Sequence, residues 1–175
     1  MWGWRIFASP YFFEVRYSMD DFVGIYLLSQ KFMQAYPLSL YPELMYKQGR
    51  PYTCLLIQTH EGYLICVPFR SSIHHKNAFL FKHSARSEKS QSGLDYSKII
   101  LIQDEEYLDS SKNALVDQDE YREMRTSLPK IVKQVDLYIR RYKDHVIGAK
   151  PLHKREYERN YQYSTLPYFH DILGI

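Results

Sequence analysis

Residues 70–76, Arg-Ser-Ser-Ile-His-His-Lys, crowd a guanidinium, two hydroxyls, two imidazoles and an ammonium into one short loop. Those are the groups that cleaving a phosphodiester calls for. In RNA the 2′-hydroxyl lies beside the phosphorus, so the substrate brings its own nucleophile close to the target. A protein must then remove a proton, stabilise the extra charge of a phosphorane-like transition state and help the 5′-oxygen leave. A histidine serves as base or acid near neutral pH. Arginine and lysine stabilise the growing charge. A hydroxyl holds a phosphate oxygen or relays a proton. No metal is required. Arg50 precedes the strand that leads toward this loop.

Other readings of the same residues are weaker. In an extended segment His74 and His75 point opposite ways, so only one faces the site. His75 is preferred because it adjoins Lys76. Ser71 and Ser72 also suit a turn that bonds its own backbone. A zinc site from Cys54, Cys66, His74 and His75 matches no familiar ligand spacing. A serine hydrolase would show a GxSxG elbow, which the chain lacks.

The elements that must position the loop follow from pattern. A β-rich run predicts a strand over 23–29, after which Ser29 caps a short helix that Pro37 ends. Residues 41–47 read as one helical turn with Pro42 at its start. Residues 52–59 and 63–67 predict a hairpin, apolar on nearly every residue and so covered on both faces. A two-residue Glu61-Gly62 turn would set Cys54 opposite Phe69 and Cys66 opposite Ile57. Pro68, lacking an N–H, is expected to stop the ladder. Strands are expected over 78–81 and 98–103, with a polar, mobile loop over 84–92 between them.

The period then changes. Asp117 and Glu120 form a capping-box pattern, and Ser127 with Pro129 opens the next helix. Leu128, Ile131, Val135, Tyr138, Tyr142 and Val146 recur at helical spacing. Gly148 and Pro151 end that helix, and 153–163 is a further helix candidate. Strands first and helices later argue for an α+β domain on a twisted antiparallel sheet flanked by helices. A doubly wound fold would alternate the two.

At 175 residues the chain suits one domain. Its 17 tyrosines supply rings that bury well and can also stack on unpaired bases. The net charge of +3 is small, but bases outnumber acids between Arg122 and Arg159, whereas acids cluster around Asp104 to Asp109. That asymmetry allows an oriented phosphate-binding face. Two cysteines make no disulfide framework and fit a reducing, cytoplasmic setting. No apolar run is long enough to span a bilayer. Residues 1–18 do not resemble a signal peptide and are expected to be an extension ahead of a domain over 19–175.

Arg-Pro-Tyr-Thr-Cys-Leu-Leu-Ile (50–57), residues 62–79, the Gly-Leu-Asp-Tyr-Ser-Lys run at 93–98 and the ending at 164–175 occur in one order. Together they resemble the TenpN-type toxins of type III toxin–antitoxin systems, within the wider ToxN, AbiQ and CptN group. The resemblance implies an endoribonuclease on a compact twisted antiparallel sheet, similar to the Kid and MazF toxins. It implies cleavage without metal or other cofactor, leaving a 2′,3′-cyclic phosphate and a 5′-hydroxyl. Its partners would be cellular RNA and a small structured repeat RNA antitoxin, held in a closed toxin–RNA assembly. Under it, Arg50, Arg70 and Lys76 hold the scissile phosphate, Ser71 bonds a phosphate oxygen and His75 is the acid or base. Arg70 stands where ToxN-like members carry threonine, so a hydroxyl gives way to a cation. Tyr46, His74, Lys98, Lys130, Lys133 and Arg140 are the candidate RNA contacts. A non-catalytic RNA-binding protein is the competing reading.

Overall fold

The computed structural model describes residues 23–175; the expected extension over 1–18 lies outside them. The strands are β1 (Val23–Leu28), β2 (Thr53–Gln58), β3 (Leu64–Arg70), β4 (Ala78–Leu80), β5 (Gly93–Asp95), β6 (Ile100–Ile102) and β7 (Leu108–Asp109). The helices are α1 (Gln30–Ala35), α2 (Ala85–Ser90), α3 (Gln118–Thr126), α4 (Leu128–Val146), α5 (Lys154–Tyr161) and α6 (His170–Leu173). Among the described residues the strands form one antiparallel sheet in the order β4-β5-β3-β2-β1-β7, with β6 also on β3. The α+β class expected from strand and helix order is observed. No described helix is long and apolar enough to cross a membrane.

β3 is the organising strand because it holds two partners along one edge. Leu64, Ile65 and Cys66 pair with β6, while Phe69 and Arg70 pair with β5. Pro68 therefore does not stop β3, as its missing N–H had suggested. Thr59 N donates to Tyr63 O, and alternation from that pair puts Pro68, opposite Cys54, at a position without ladder bonds to β2. Its ring nitrogen faces the other edge, in the gap between β6 and β5, where no donor is needed.

The hairpin register also differs from the two-residue turn. Cys54 lies opposite Pro68 and Cys66 opposite Leu56, so the loop is His60-Glu61-Gly62. Gly62 takes φ +81°, as a three-residue hairpin loop requires. The one-residue shift brings both buried thiols to the same face as diagonal neighbours.

Residues 84–92 are not a loop but α2 and its caps. Ser84 Oγ accepts from Ser87 N at 2.9 Å and so starts the helix. Residues 98–103 are not one strand: Tyr96–Lys98 is a 3-10 turn, and β6 follows. Asp117 makes no side-chain cap on α3, and Glu120 turns inward. In α4 the expected stripe is buried from Leu128 to Tyr142, with Ile139 added, while Val146 is exposed. This stripe joins Phe32, Leu55, Val67, Leu94 and Ile100 in one core.

Candidate active site

Arg70 ends β3 opposite Gly93 of β5, and Asp95 lies two residues further along β5. The pleat puts Arg70 and Asp95 on one face as diagonal neighbours. Gly93 is the residue directly opposite Arg70. It is forced by its other neighbour, since a Cβ there would stand 2.3 Å from Phe79 O of β4. Arg70 Nη1 reaches Asp95 Oδ2 at 2.8 Å, and its Nη2 lies 3.7 Å from Met45 Sδ.

Asp95 is 1% exposed and caps the 3-10 turn that follows it. Its Oδ1 accepts from Ser97 N at 2.9 Å and from Ser97 Oγ at 2.7 Å. His75 Nε2 stands 3.4 Å from the same oxygen. Burial pushes the Asp95 carboxyl up, but the His75 and Ser97 hydrogen bonds and the charges of His75 and Arg70 more than offset it, leaving it below its usual value.

The loop reaches Asp95 because it is pinned at both ends. Ser72 takes φ +57° and its N–H donates to Ser90 O at the end of α2. Ile73 N donates to Gln91 O at 3.2 Å, and the Ile73 side chain is buried. At the far end Tyr96 N donates to Asn77 O at 3.0 Å. Between these anchors His74 and Lys76 are exposed, and His75 alone of the two histidines meets the carboxylate.

Ser71, next to Arg70 in the chain, belongs to a second polar group. Its Oγ accepts from Arg86 Nη2 at 3.1 Å, and Arg86 Nη1 stands 3.4 Å from Glu120 Oε2. Glu120 is fully buried, and its Oε1 accepts from Ser84 Oγ at 3.2 Å and from Ser92 Oγ. Arg86 also lines a cavity of about 260 Å³ with Phe69, Thr53, Leu27 and Asn113. Two buried carboxylates thus flank the end of β3, one fixing Arg70 and His75, the other fixing Arg86 and through it Ser71.

The remaining expected contacts are scattered. Arg50 is exposed in the turn before β2. Tyr46 is buried, and its hydroxyl donates to Met33 O and Tyr36 O, so its ring offers no open stacking face. Lys98 is 4% exposed and donates to Glu43 Oε2 at 2.5 Å and Tyr163 O at 2.6 Å, a structural position rather than an RNA-facing one. Lys130 and Lys133 are exposed on α4, Lys130 with its Nζ 5.9 Å from the Phe79 ring centre. Arg140 is exposed beside Asp136 at 3.6 Å. Among the described residues no group of three His, Cys, Asp or Glu side chains is arranged to hold a metal ion.

Sequence reasoning missed Asp95, Ser97, Arg86 and Glu120. Asp-Tyr-Ser at 95–97 does carry a signal, an aspartate two residues before a serine at a strand end, which is an Asx-turn pattern. Glu120 carried a misleading one, because its spacing from Asp117 imitates a capping box.

Comparison with protein-family models, with curated proteins and with solved structures finds no match to this chain.

Proposed function

We propose that this chain is a metal-independent endoribonuclease of the ToxN-like toxin type, partnered by a small structured repeat RNA that it processes and that inhibits it. The observation that carries the reading is the contact of His75 with the buried carboxylate of Asp95, which also holds Arg70. His75 Nε2 lies 3.4 Å from both Asp95 Oδ1 and Ser97 Oγ, and Ser97 Oγ gives its own proton to Asp95 Oδ1, so on this reading both oxygens accept, Nε2 is the donor and Nδ1 keeps the lone pair. His75 is therefore the base. It takes the proton of the 2′-hydroxyl as the bond from O2′ to phosphorus forms.

Arg70 keeps donors beyond the one spent on Asp95, and these stabilise the non-bridging oxygens. Ser71 accepts from Arg86 and so retains its own proton to donate to a phosphate oxygen. Lys76, exposed and next to His75, adds positive charge and protonates the 5′-oxygen as the P–O5′ bond breaks. Arg50 adds charge from the turn before β2. The products are a 2′,3′-cyclic phosphate and a 5′-hydroxyl. The resemblance supports the rest of the reading: a Kid- or MazF-like sheet, a closed toxin–RNA assembly and a cytoplasmic site of action.

The test is incubation of purified protein with mixed RNA in EDTA, mapping both ends of any fragments. Cyclic-phosphate and 5′-hydroxyl ends, lost in His75→Ala and Lys76→Ala, are expected. Tight RNA binding by the folded protein without cleavage would replace this reading with a non-catalytic RNA-binding one.

A further inference from the structure

Phe69 and Arg70 are successive residues of β3, so their side chains turn to opposite faces of the sheet. Arg70 meets Asp95 on one face. On the other, Phe69 lines the cavity of about 260 Å³ with Leu27 of β1, Thr53 of β2 and, beyond β7, Asn113 and Val116. Arg86 of α2 lines it too. The fully buried Glu120 carboxylate holds one end of its guanidinium, with Oε2 3.4 Å from Nη1. Nη2 donates to Ser71 Oγ at 3.1 Å. Those contacts use two of the five N–H groups that an arginine carries. The Thr53 hydroxyl and the Asn113 side-chain amide make no hydrogen bond among the described residues. The cavity is therefore an apolar slot with one fixed cation and two uncommitted polar groups.

From this arrangement we infer that the cavity is a base-reading pocket, taking one unpaired nucleobase of the RNA strand whose phosphate meets Ser71. The inference rests on the endoribonuclease reading and adds base selection to it. Ser71 is the link, since its Oγ bonds the pocket guanidinium and, in the proposed mechanism, a phosphate oxygen. A nucleotide with its phosphate there has its base within reach of Arg86. Apolar walls with a few placed polar groups are how small-molecule pockets are built, and a volume below the roughly 300–1,000 Å³ of drug-sized pockets suits a single base. Phe69, Leu27 and Val116 meet the faces of the ring. Arg86 only donates, so the base must present an acceptor to it. Thr53 and Asn113 each donate or accept and read the rest of the edge. Entry needs a base already out of its stack, which is cheapest in a single strand.

The experiment gives the full chain a pool of single-stranded RNA with randomised bases and sequences the ends of the products. Wild type is expected to favour one base at one position beside the cut. That preference should fall about tenfold in Asn113→Ala and in Thr53→Val, each of which removes one hydrogen bond to the base, while preferences elsewhere hold. Circular dichroism checks that each variant is folded. A second measurement needs no cleavage. The side-chain amide NMR signal of Asn113, identified by its loss in Asn113→Ala, is followed as each of the four free nucleosides is added. The nucleoside that shifts it most should be the base favoured at the cut. Cleavage without base preference at any position, or a preference that survives in both folded variants, overturns the pocket and leaves the endoribonuclease reading intact. Absence of cleavage by wild type overturns that reading. In that case an Asn113 signal unmoved by all four nucleosides overturns the pocket as well, and a shift supports it as the base site of a non-catalytic RNA-binding protein.

Discussion

His75 Nε2 stands 3.4 Å from Asp95 Oδ1, an imidazole on a loop meeting a carboxylate buried at the end of β5. That contact fixes which ring nitrogen faces outward. On the proposed mechanism His75→Ala lowers kcat by about 10²- to 10⁴-fold, the usual worth of a general base. Asp95→Asn lowers kcat in the same direction by releasing the tautomer and the Arg70 guanidinium. Single-turnover cleavage, with circular dichroism to verify folding, measures both. Full activity in a folded His75→Ala would move the base elsewhere.

Asp95 also sets an acid limit on stability. Its folded carboxyl sits below the usual aspartate value, so the unfolded chain takes up the proton first. The stabilisation is present in full above about pH 3.9, the unfolded value. It declines as pH falls further and is gone once pH has passed through the lowered folded value. Thermal melts from pH 7 to pH 2 should show this acid loss in wild type, and a shallower one in Asp95→Asn.

Gly93→Ala tests the close approach of β4. A Cβ 2.3 Å from Phe79 O forces β4 and β5 apart. Overpacking of this kind costs about 1–3 kcal/mol. The expected result is a lower midpoint in urea together with weaker cleavage, because Asp95 moves with β5.

Glu120→Ala leaves the buried hydroxyls of Ser84 and Ser92 short of an acceptor and frees Arg86. Stranded buried groups cost about 1–3 kcal/mol. Urea melts should show a loss of that size, and Glu120→Gln should recover much of it by restoring an acceptor. Equal losses in both would mean that charge, not hydrogen bonding, is what the site needs.

The exposed lysines of α4 predict a salt effect. If Lys130 and Lys133 each neutralise one phosphate, replacing both with alanine lowers the slope of log K against log salt by about 2 in magnitude. Titrations between 50 and 200 mM salt check this. An unchanged slope would remove α4 from the RNA-binding face.

The sequence by itself determined the α+β class, the first strand and its Ser29-capped helix, the central hairpin and the buried stripe of α4. Those features are local: periodicity, capping chemistry and breakers act within a few residues. Alternation allowed only one of His74 and His75 to face the site, and adjacency to Lys76 favoured His75. Tertiary structure decided what those local signals cannot reach. Gly62 in a three-residue loop shifted the hairpin by one residue, and Pro68 was accommodated because β3 changes partners there. Residues 85–90 form a helix started by the local Ser84 cap, and Ser84 and Ser92 are then held by Glu120, a partner distant in sequence. Lys98 and Tyr46 carry polar groups that composition assigns to the surface, yet each found buried partners, Glu43 with the Tyr163 carbonyl in one case and Met33 with Tyr36 carbonyls in the other. Asp95 joined Arg70 because strand pairing set the two on one face as diagonal neighbours, and joined His75 because the loop is pinned to the end of α2 and to Tyr96. A buried polar group is settled by the partner that satisfies it, and such partners come from sheet register and packing rather than from neighbours in the chain.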